Sequence, residues 1–147
     1  MSVPVSELLR SKAAAVVTVD ENTTVYQAIE AMDQHRIGCV LVTDGLDLSG
    51  IFTERDYLRR IVLQGRTSRT TLVGEVLTRD VVTVEPDATL ESCMALMTEK
   101  RIRHLPVMKG RRLVGIVSIG DLVKHVYEET RERASQLERL VSGQYPG

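Results

Sequence analysis

Short apolar blocks alternate along this chain with polar turns, and the spacing of the apolar residues changes from block to block. The β-branched run Val16–Val19 predicts a short strand. Over residues 23–34, apolar side chains recur at i, i+3, i+4 and i+7, which predicts one face of a helix. Two more strands and a second helix follow: Cys39–Val42, Leu48–Phe52 and Glu54 to about Leu63. The predicted unit is β-α-β-β-α.

The same unit occurs twice, because the sequence matches itself when it is shifted by 65 residues. Over positions 16–58 this offset gives 14 identities in 43 positions, among them Met32/Met97, Gly50/Gly115 and Asp56/Asp121. Two copies of about 60 residues each are too small to build good separate cores. We therefore expect one α/β module of two pseudo-symmetric repeats packed on each other, with any ligand bound between them.

The ends of the repeats set the expected domains. Polar residues 65–70 are the best linker candidate, followed by a short helix at 72–77 that corresponds to one at 5–11. We expect repeat 1 with its N-terminal helix at 1–66, repeat 2 at 67–128 and a helical extension with a tail at 129–147. Beyond repeat 2, apolar residues continue at helical spacing: Leu122, Val123, Val126, Tyr127, Ala134, Leu137, Leu140 and Val141. That C-terminal amphipathic helix predicts contact with a partner chain, most simply in a homodimer.

Composition narrows the class of protein. Nineteen Lys and Arg against 20 Asp and Glu give a formal charge of -1, so no global basic field attracts nucleic acid or an anionic membrane. No apolar run approaches the roughly 20 residues of a membrane-spanning helix. The N-terminal residues lack the pattern of a signal peptide, and only two cysteines occur. We expect a cytoplasmic protein without disulfides.

The junction between the last strand and the second helix of each copy carries the motif G-h-h-[ST]-x-x-D, at 50–56 and 115–121. An aspartate in the first turn of a helix can accept hydrogen bonds from ribose hydroxyls, while the Ser/Thr and free N–H groups approach a phosphate. The alternative is a capping box, in which Thr53 or Ser118 caps the helix and the acid bonds back. Both copies have Asp where capping boxes prefer Glu or Gln, and both have the preceding glycine, which favours ribose binding.

This duplicated motif in tandem β-α-β-β-α units resembles a pair of cystathionine-β-synthase-type (CBS) domains over about residues 5–128. The resemblance implies two pseudo-symmetric clefts that often bind AMP, ATP, NAD or another adenosyl compound. Around the Asp121 cleft it implicates Lys12, Val17, Ile37, Ile116, Ser118, Gly120 and Asp121. Around the Asp56 cleft the counterparts at the offset of 65 are Leu77, Val82, Ile102, Ile51, Thr53, Arg55 and Asp56. Any single aliphatic residue in these sets is better explained as core, so the prediction rests on the ensemble.

The two clefts are expected to differ in charge. The resemblance places residues equivalent to Arg103 and His104 near nucleotide phosphates, and the matching positions in copy one are Gly38 and Cys39. We therefore expect the Asp121 cleft to prefer the more negatively charged ligands, with Arg55 as partial compensation in the other cleft. The alternatives are a solvated surface charge for Arg103 and a structural role for His104.

Other chemistry has little support in the sequence. The three histidines show no i, i+4 pairing with one another, so no metal site is predicted. There is no P-loop, nucleophile elbow or G-x-G-x-x-G motif. The first hypothesis is a regulatory, non-enzymatic sensor of adenine nucleotides that acts on an unknown effector protein through a ligand-dependent change of shape. A structural dimerisation module whose motifs only cap helices is the alternative, and a nucleotide-using enzyme is a third hypothesis.

Overall fold

The computed structural model describes residues 3–12 and 16–141. Two short helices precede the repeats: α1 (Val5–Ser11) and α4 (Val73–Val76). Repeat 1 consists of β1 (Thr18–Asp20), α2 (Val25–His35), β2 (Cys39–Asp44), β3 (Asp47–Thr53) and α3 (Glu54–Tyr57), which continues as a π-helical turn over Leu58–Val62. Repeat 2 consists of α5 (Leu90–Lys100), β4 (His104–Lys109), β5 (Arg112–Ser118) and α6 (Ile119–Val141). The predicted α/β fold of two related repeats with a C-terminal helix is confirmed.

The two hairpins repeat the same register. Val42 lies opposite Gly50 in the antiparallel pair β2–β3, and Val107 lies opposite Gly115 in β4–β5. In repeat 1 the parallel strand β1 adds a third strand beside β2. Its predicted counterpart at 81–84 forms only a parallel bridge between Val84 and Val107. Repeat 2 therefore keeps the path of that strand with much less of its hydrogen bonding.

The short helices are exchanged between the repeats. Val5 and Leu8 of α1 are buried in the core of repeat 2, whereas Val73 and Val76 of α4 are buried in the core of repeat 1. Each core is completed by a helix that lies outside its own β-α-β-β-α unit, so the apolar burial that stabilises one repeat depends on the chain of the other. The two repeats form one unit.

The offset of 65 does not extend to these helices. The Val5 N–H donates to the Ala88 carbonyl, and the Val73 N–H donates to the Thr23 carbonyl, both at 2.8 Å. Ala88 and Thr23 are 65 residues apart, but Val5 and Val73 are 68 apart. The segment between α1 and β1 is thus three residues longer than the one after α4. Equivalent residues of the two repeats are therefore 68 apart in the short helices and 65 apart from β1 onward.

A third apolar cluster joins the repeats. It contains the buried Cys39, Leu41 and Ile51 of repeat 1, against which Leu113 and Ile116 of repeat 2 pack. Both clefts described below are lined partly by this cluster, so a ligand in either cleft touches the contact between the repeats.

Helix α6 extends beyond the repeats. Its first turns pack on α5 and β5, with Leu122 fully buried. Further along, Val123, Tyr127 and Leu137 are each about 60% exposed. Within the two described ranges, no helix has both the length and the apolar character needed to cross a membrane.

Candidate functional site: two clefts between the repeats

The Asp121 cleft has a volume of about 350 Å³ and walls from both repeats. This volume lies within the usual range for small-molecule sites. Six of the seven residues predicted for this cleft line it: Lys12, Val17, Ile37, Ile116, Ser118 and Asp121. Gly120 does not line it, although it lies in the first turn of α6 between the two polar residues of the motif. Aliphatic walls beside one carboxylate suit a ligand with an apolar body and hydroxyl donors.

Asp121 both caps α6 and keeps one carboxylate oxygen available. Its Oδ2 accepts from the Ser118 N–H and from Lys12 Nζ, both at 2.8 Å, while its own N–H donates to Ser118 Oγ at 3.1 Å. This is the capping box that the sequence left as an alternative. Among residues 3–12 and 16–141, no group donates to Oδ1. Because Asp121 lines the cleft, an oxygen without a donor there can accept a hydrogen bond from a ligand hydroxyl.

The hydrogen bonds also set the charge of this carboxyl. Burial by itself raises the pKa of Asp121, but the hydrogen bonds from Lys12 and from the Ser118 N–H outweigh that effect and hold the pKa below its ordinary value. Asp121 is therefore an anion at neutral pH. Lys12 is held in turn by the Ile116 carbonyl at 3.0 Å, which fixes its ammonium beside the carboxylate.

Asp56 differs from Asp121 because both of its oxygens are occupied. Oδ2 accepts from the Thr53 N–H and hydroxyl at 3.0 and 3.1 Å, and Oδ1 accepts from the Thr78 hydroxyl at 3.0 Å. Arg60 Nε lies 3.8 Å from Oδ1. The Asp56 side chain is 11% exposed, against 22% for Asp121. A ribose hydroxyl that reached Asp56 would share Oδ1 with the Thr78 hydroxyl.

The Asp56 cleft is the larger of the two, with a volume of about 810 Å³. The predicted residues that line it are Ile51, Thr53, Arg55, Asp56, Val82 and Ile102. The placement of Leu77 in this cleft is wrong, because Leu77 is buried in the core of repeat 1 and Thr78 lines the cleft instead. The change of offset to 68 explains the error, because the counterpart of Lys12 is then Asp80, which does line the Asp56 cleft.

Arg103 belongs to the Asp56 cleft, so its predicted place beside Asp121 is wrong. The residues just before each hairpin are hydrogen-bonded to the motif helix of their own repeat, yet they line the cleft that contains the aspartate of the opposite repeat, so Arg36 and Gly38 line the Asp121 cleft. The expected order of charge is reversed by this arrangement. Cations around the Asp56 cleft are Arg55, Arg59, Arg60, Lys100, Arg101 and Arg103. Around the Asp121 cleft they are Lys12 and Arg36.

His104 lines both clefts. Burial lowers the pKa of His104, and the nearby charge of Lys12 lowers it further, against the opposing effects of Asp121 and Glu54. The imidazole is therefore mostly neutral at pH 7 and adds little charge to either cleft. It lies where a ligand in one cleft can affect the other.

The two cysteines are buried thiols. Burial raises the pKa of Cys39 to about 12 and also raises the pKa of Cys93. Cys39 lines the Asp121 cleft, but a thiol with that pKa is a poor nucleophile at neutral pH. The described residues contain no group of three or more His, Cys, Asp and Glu side chains placed to hold a metal ion.

Several residues of the clefts were not identified from the sequence. Arg36 and Arg101 end α2 and α5 in the left-handed region, with φ of 53° and 56°. Their identity at the offset of 65 was a signal, but it did not reveal that both side chains line clefts. Arg59, Lys100 and Thr78 carried no recognisable pattern, because their positions depend on the π-helical turn and on the tertiary contacts of the repeats.

The chain has two pseudo-symmetric repeats and a ligand-sized cleft on each side of their contact. This arrangement is that of a tandem module of the regulatory type rather than of a single binding domain. The chain belongs to the CBS domain family, whose model matches residues 5–63 and 73–128. The chain is 40% identical to the mitochondrial CBS domain-containing protein CBSX3 of Arabidopsis thaliana, over 98% of this chain and 74% of that protein.

Solved structures agree with this assignment. A CBS-domain protein from Burkholderia ambifaria superposes with a TM-score of 0.80 at 49% identity, covering 84% of this chain and 93% of that one. The CBS domain protein PAE2072 from Pyrobaculum aerophilum, in a structure complexed with AMP, superposes with a TM-score of 0.72 at 25% identity, covering 81% of this chain and 89% of that one.

Proposed function

We propose that this chain is a regulatory module that binds an adenosyl ligand of the AMP, ATP or NAD type in its Asp121 cleft. The main support for this proposal is the geometry of Asp121. Its carboxylate is anionic, and Oδ2 accepts hydrogen bonds from Lys12 and from the Ser118 N–H, while Oδ1 has no donor among the described residues. A ribose offers the hydroxyl donors that such an acceptor needs.

The walls of the cleft suit the rest of the ligand. Val17, Ile37 and Ile116 provide aliphatic surface for a flat base. The first turn of α6 lies at the Ser118 end, where a helix N-terminus favours a phosphate. Of the two cations that line this cleft, Lys12 is paired with the Asp121 carboxylate and Arg36 is not. One such cation is suited to a ligand with a single phosphate group. The AMP in the related PAE2072 structure supports the same class of ligand.

The proposed mechanism is a shift of population between arrangements of the two repeats. A ligand that contacts Val17 and Asp121 together favours the arrangement in which these two half-sites are correctly spaced. Residues 1–66 and 67–128 would act as the two halves of this device, and residues 129–147 as an extension. An effector protein, not yet identified, would respond to the change, and the module itself would carry out no catalysis.

Helix α6 is the proposed homodimer contact. Val123, Tyr127, Leu137 and Val141 are exposed, and with Thr130 and Ala134 between them they follow the alternating four- and three-residue spacing of a coiled-coil seam. Their packing against a second copy would remove this surface from water. The free thiols Cys39 and Cys93 suit a reducing compartment, and we propose the cytoplasm as the location.

The second candidate function is a structural dimerisation module without a ligand. The observation in its favour is that both motifs form complete capping boxes, with the hydrogen bonds expected of caps. In that case the motif aspartates stabilise helices and nothing else.

A thermal-shift panel separates the two candidates. AMP, ADP, ATP, NAD, NADH and S-adenosylmethionine are each added to the full chain, since a ligand at 100 times its dissociation constant stabilises a protein by about 2.7 kcal/mol. The proposal expects at least one adenosyl compound to raise Tm in the wild type. No shift with any of the six compounds supports the structural candidate.

A further inference from the structure

We infer that the Asp56 cleft is a site for a polyanion of the oligophosphate class, which it holds through arginine and lysine side chains rather than through its motif aspartate. This goes beyond the proposed adenosyl site, because it concerns the other cleft and a different mode of recognition.

The first observation is an excess of cations without partners. Six cationic side chains line the cleft, against the three carboxylates Glu54, Asp56 and Asp80. Arg60 is engaged, since its Nη1 donates to the Val76 and Leu77 carbonyls at 2.9 and 2.7 Å. The five others have no ion-pair or hydrogen-bond partner for their side chains within residues 3–12 and 16–141: Arg55, Arg59, Lys100, Arg101 and Arg103. All five of these residues are exposed, so the cleft presents to solvent a positively charged surface that attracts an anion.

The second observation is the π-helical turn that follows α3. It contains Arg59 and Arg60, and both line the cleft. Their counterparts at the offset of 65, Lys124 and His125, lie in the regular helix α6 and do not line the Asp121 cleft. The helix therefore departs from α-helical geometry at the turn that brings Arg59 and Arg60 to the Asp56 cleft. π-helical turns of this kind are frequent at functional sites.

The third observation concerns Asp56 itself. Thr53 and Thr78 already donate to the two carboxylate oxygens, so a ribose would have to share Asp56 with them, whereas Oδ1 of Asp121 has no donor among the described residues. The volume of about 810 Å³, compared with about 350 Å³ for the Asp121 cleft, leaves room for an extended chain of phosphates. Planar guanidinium groups match phosphate oxygens in charge and geometry. Recognition is thus expected to depend on the phosphates and only weakly on a nucleoside.

The test is calorimetric titration of the full chain with inorganic tripolyphosphate at low ionic strength. Arg101→Gln removes one cation from the Asp56 cleft, and Arg112→Gln is its matched control, because Arg112 is an exposed arginine at the start of β5 that lines neither cleft. We expect tripolyphosphate binding to weaken about fivefold or more in Arg101→Gln and to stay within about twofold of wild type in Arg112→Gln. The double variant Arg101→Gln/Arg103→Gln should lose more, and added salt should weaken the wild type.

Separate arms with ATP and with adenosine identify the source of the phosphates. If ATP and tripolyphosphate bind this cleft with similar affinity, the phosphate chain alone is recognised; ATP binding more than about tenfold tighter, with the same loss in Arg101→Gln, identifies a nucleotide and contradicts recognition through phosphates alone. Absence of tripolyphosphate binding, or equal losses in the Arg101→Gln and Arg112→Gln variants, overturns the inference. Adenosine reports on the Asp121 cleft, so its failure to bind would count against the proposed function and leave the tripolyphosphate result to stand by itself.

Discussion

Alanine should destabilise the protein more at the motif glycine Gly50 than at its counterpart Gly115, because the atoms that an added methyl group would meet differ at the two positions. A methyl group at Gly50 would overlap the carbonyl oxygen of Thr78 and lie 2.5 Å from Leu77 Cδ1. A methyl group at Gly115 would meet the side chain of Leu9, with Cδ1 at 2.8 Å and Cδ2 at 2.9 Å. The first obstacle is backbone, whereas the second is the end of a flexible side chain.

The expected magnitudes follow from what must move. The Thr78 carbonyl and N–H are bonded to Ile51 at 2.9 and 2.8 Å, so a shift of Thr78 weakens two hydrogen bonds of about 1 kcal/mol each. Overpacking adds about 1 to 3 kcal/mol. Gly50→Ala should therefore lower the free energy of unfolding by about 3 kcal/mol or more. Gly115→Ala needs only a new rotamer of Leu9 and should cost about 1 kcal/mol.

Urea denaturation of both variants measures this difference, with each glycine acting as the control for the other. Gly50→Ala should also disturb the Asp56 cleft, because Thr78 donates to Asp56 Oδ1. Equal destabilisation of the two variants, or a larger loss for Gly115→Ala, would refute the argument that the fixed backbone at Thr78 is what requires a glycine.

Three further predictions concern strain, charge and assembly. Replacing Arg36 or Arg101 with glycine should raise the free energy of unfolding by about 0.5 to 1 kcal/mol, since the left-handed strain removed exceeds the entropic cost of glycine; a decrease in urea titrations would contradict this. Because the folded pKa of Asp121 is depressed, its stabilisation is complete above the ordinary value of 3.8 and is lost as the pH falls through the folded pKa; Lys12→Met should move that loss to higher pH, and an unchanged stability–pH profile would count against the ion pair. Truncation after Tyr127 should weaken the dimer about tenfold or more in sedimentation equilibrium, and an unchanged dissociation constant would show that the apolar stripe serves another purpose.

The elements that recur at a fixed offset could be predicted well from the sequence. The hairpins follow from β-branched runs that flank Gly45 and Gly110, whose φ values of 63° and 62° require a residue tolerant of the left-handed region. The first helix was predicted at Val5–Ser11 and lies there. Local spacing decides such elements, and both copies gave independent support for them.

The clefts were harder to predict because they depend on contacts between the repeats. Leu77 was misplaced because the three extra residues before β1 change the offset to 68 in this segment. The identities Val5/Val73, Glu7/Glu75 and Leu9/Leu77 carry that signal, but they do not appear at the offset of 65. Arg103 was misplaced because the residues just before each hairpin line the cleft that contains the motif aspartate of the opposite repeat. The motif alone also could not predict whether each aspartate only caps its helix or is open to a ribose. The answer depends on the Asp121 oxygen that has no donor among the described residues and on the hydroxyl of Thr78 beside Asp56.

The most direct test of the adenosyl site is calorimetric titration with adenosine of the wild type, Asp121→Asn and Asp56→Asn. Asparagine keeps a carbonyl oxygen that can accept from the Ser118 or Thr53 N–H, so each helix retains a cap while the second acceptor for a ribose is lost. Adenosine should bind the wild type with one site per chain, bind Asp56→Asn with the same affinity, and lose about tenfold or more in Asp121→Asn. Equal affinity of adenosine for Asp121→Asn and the wild type, with the fold intact, would contradict the claim that Asp121 receives the ribose.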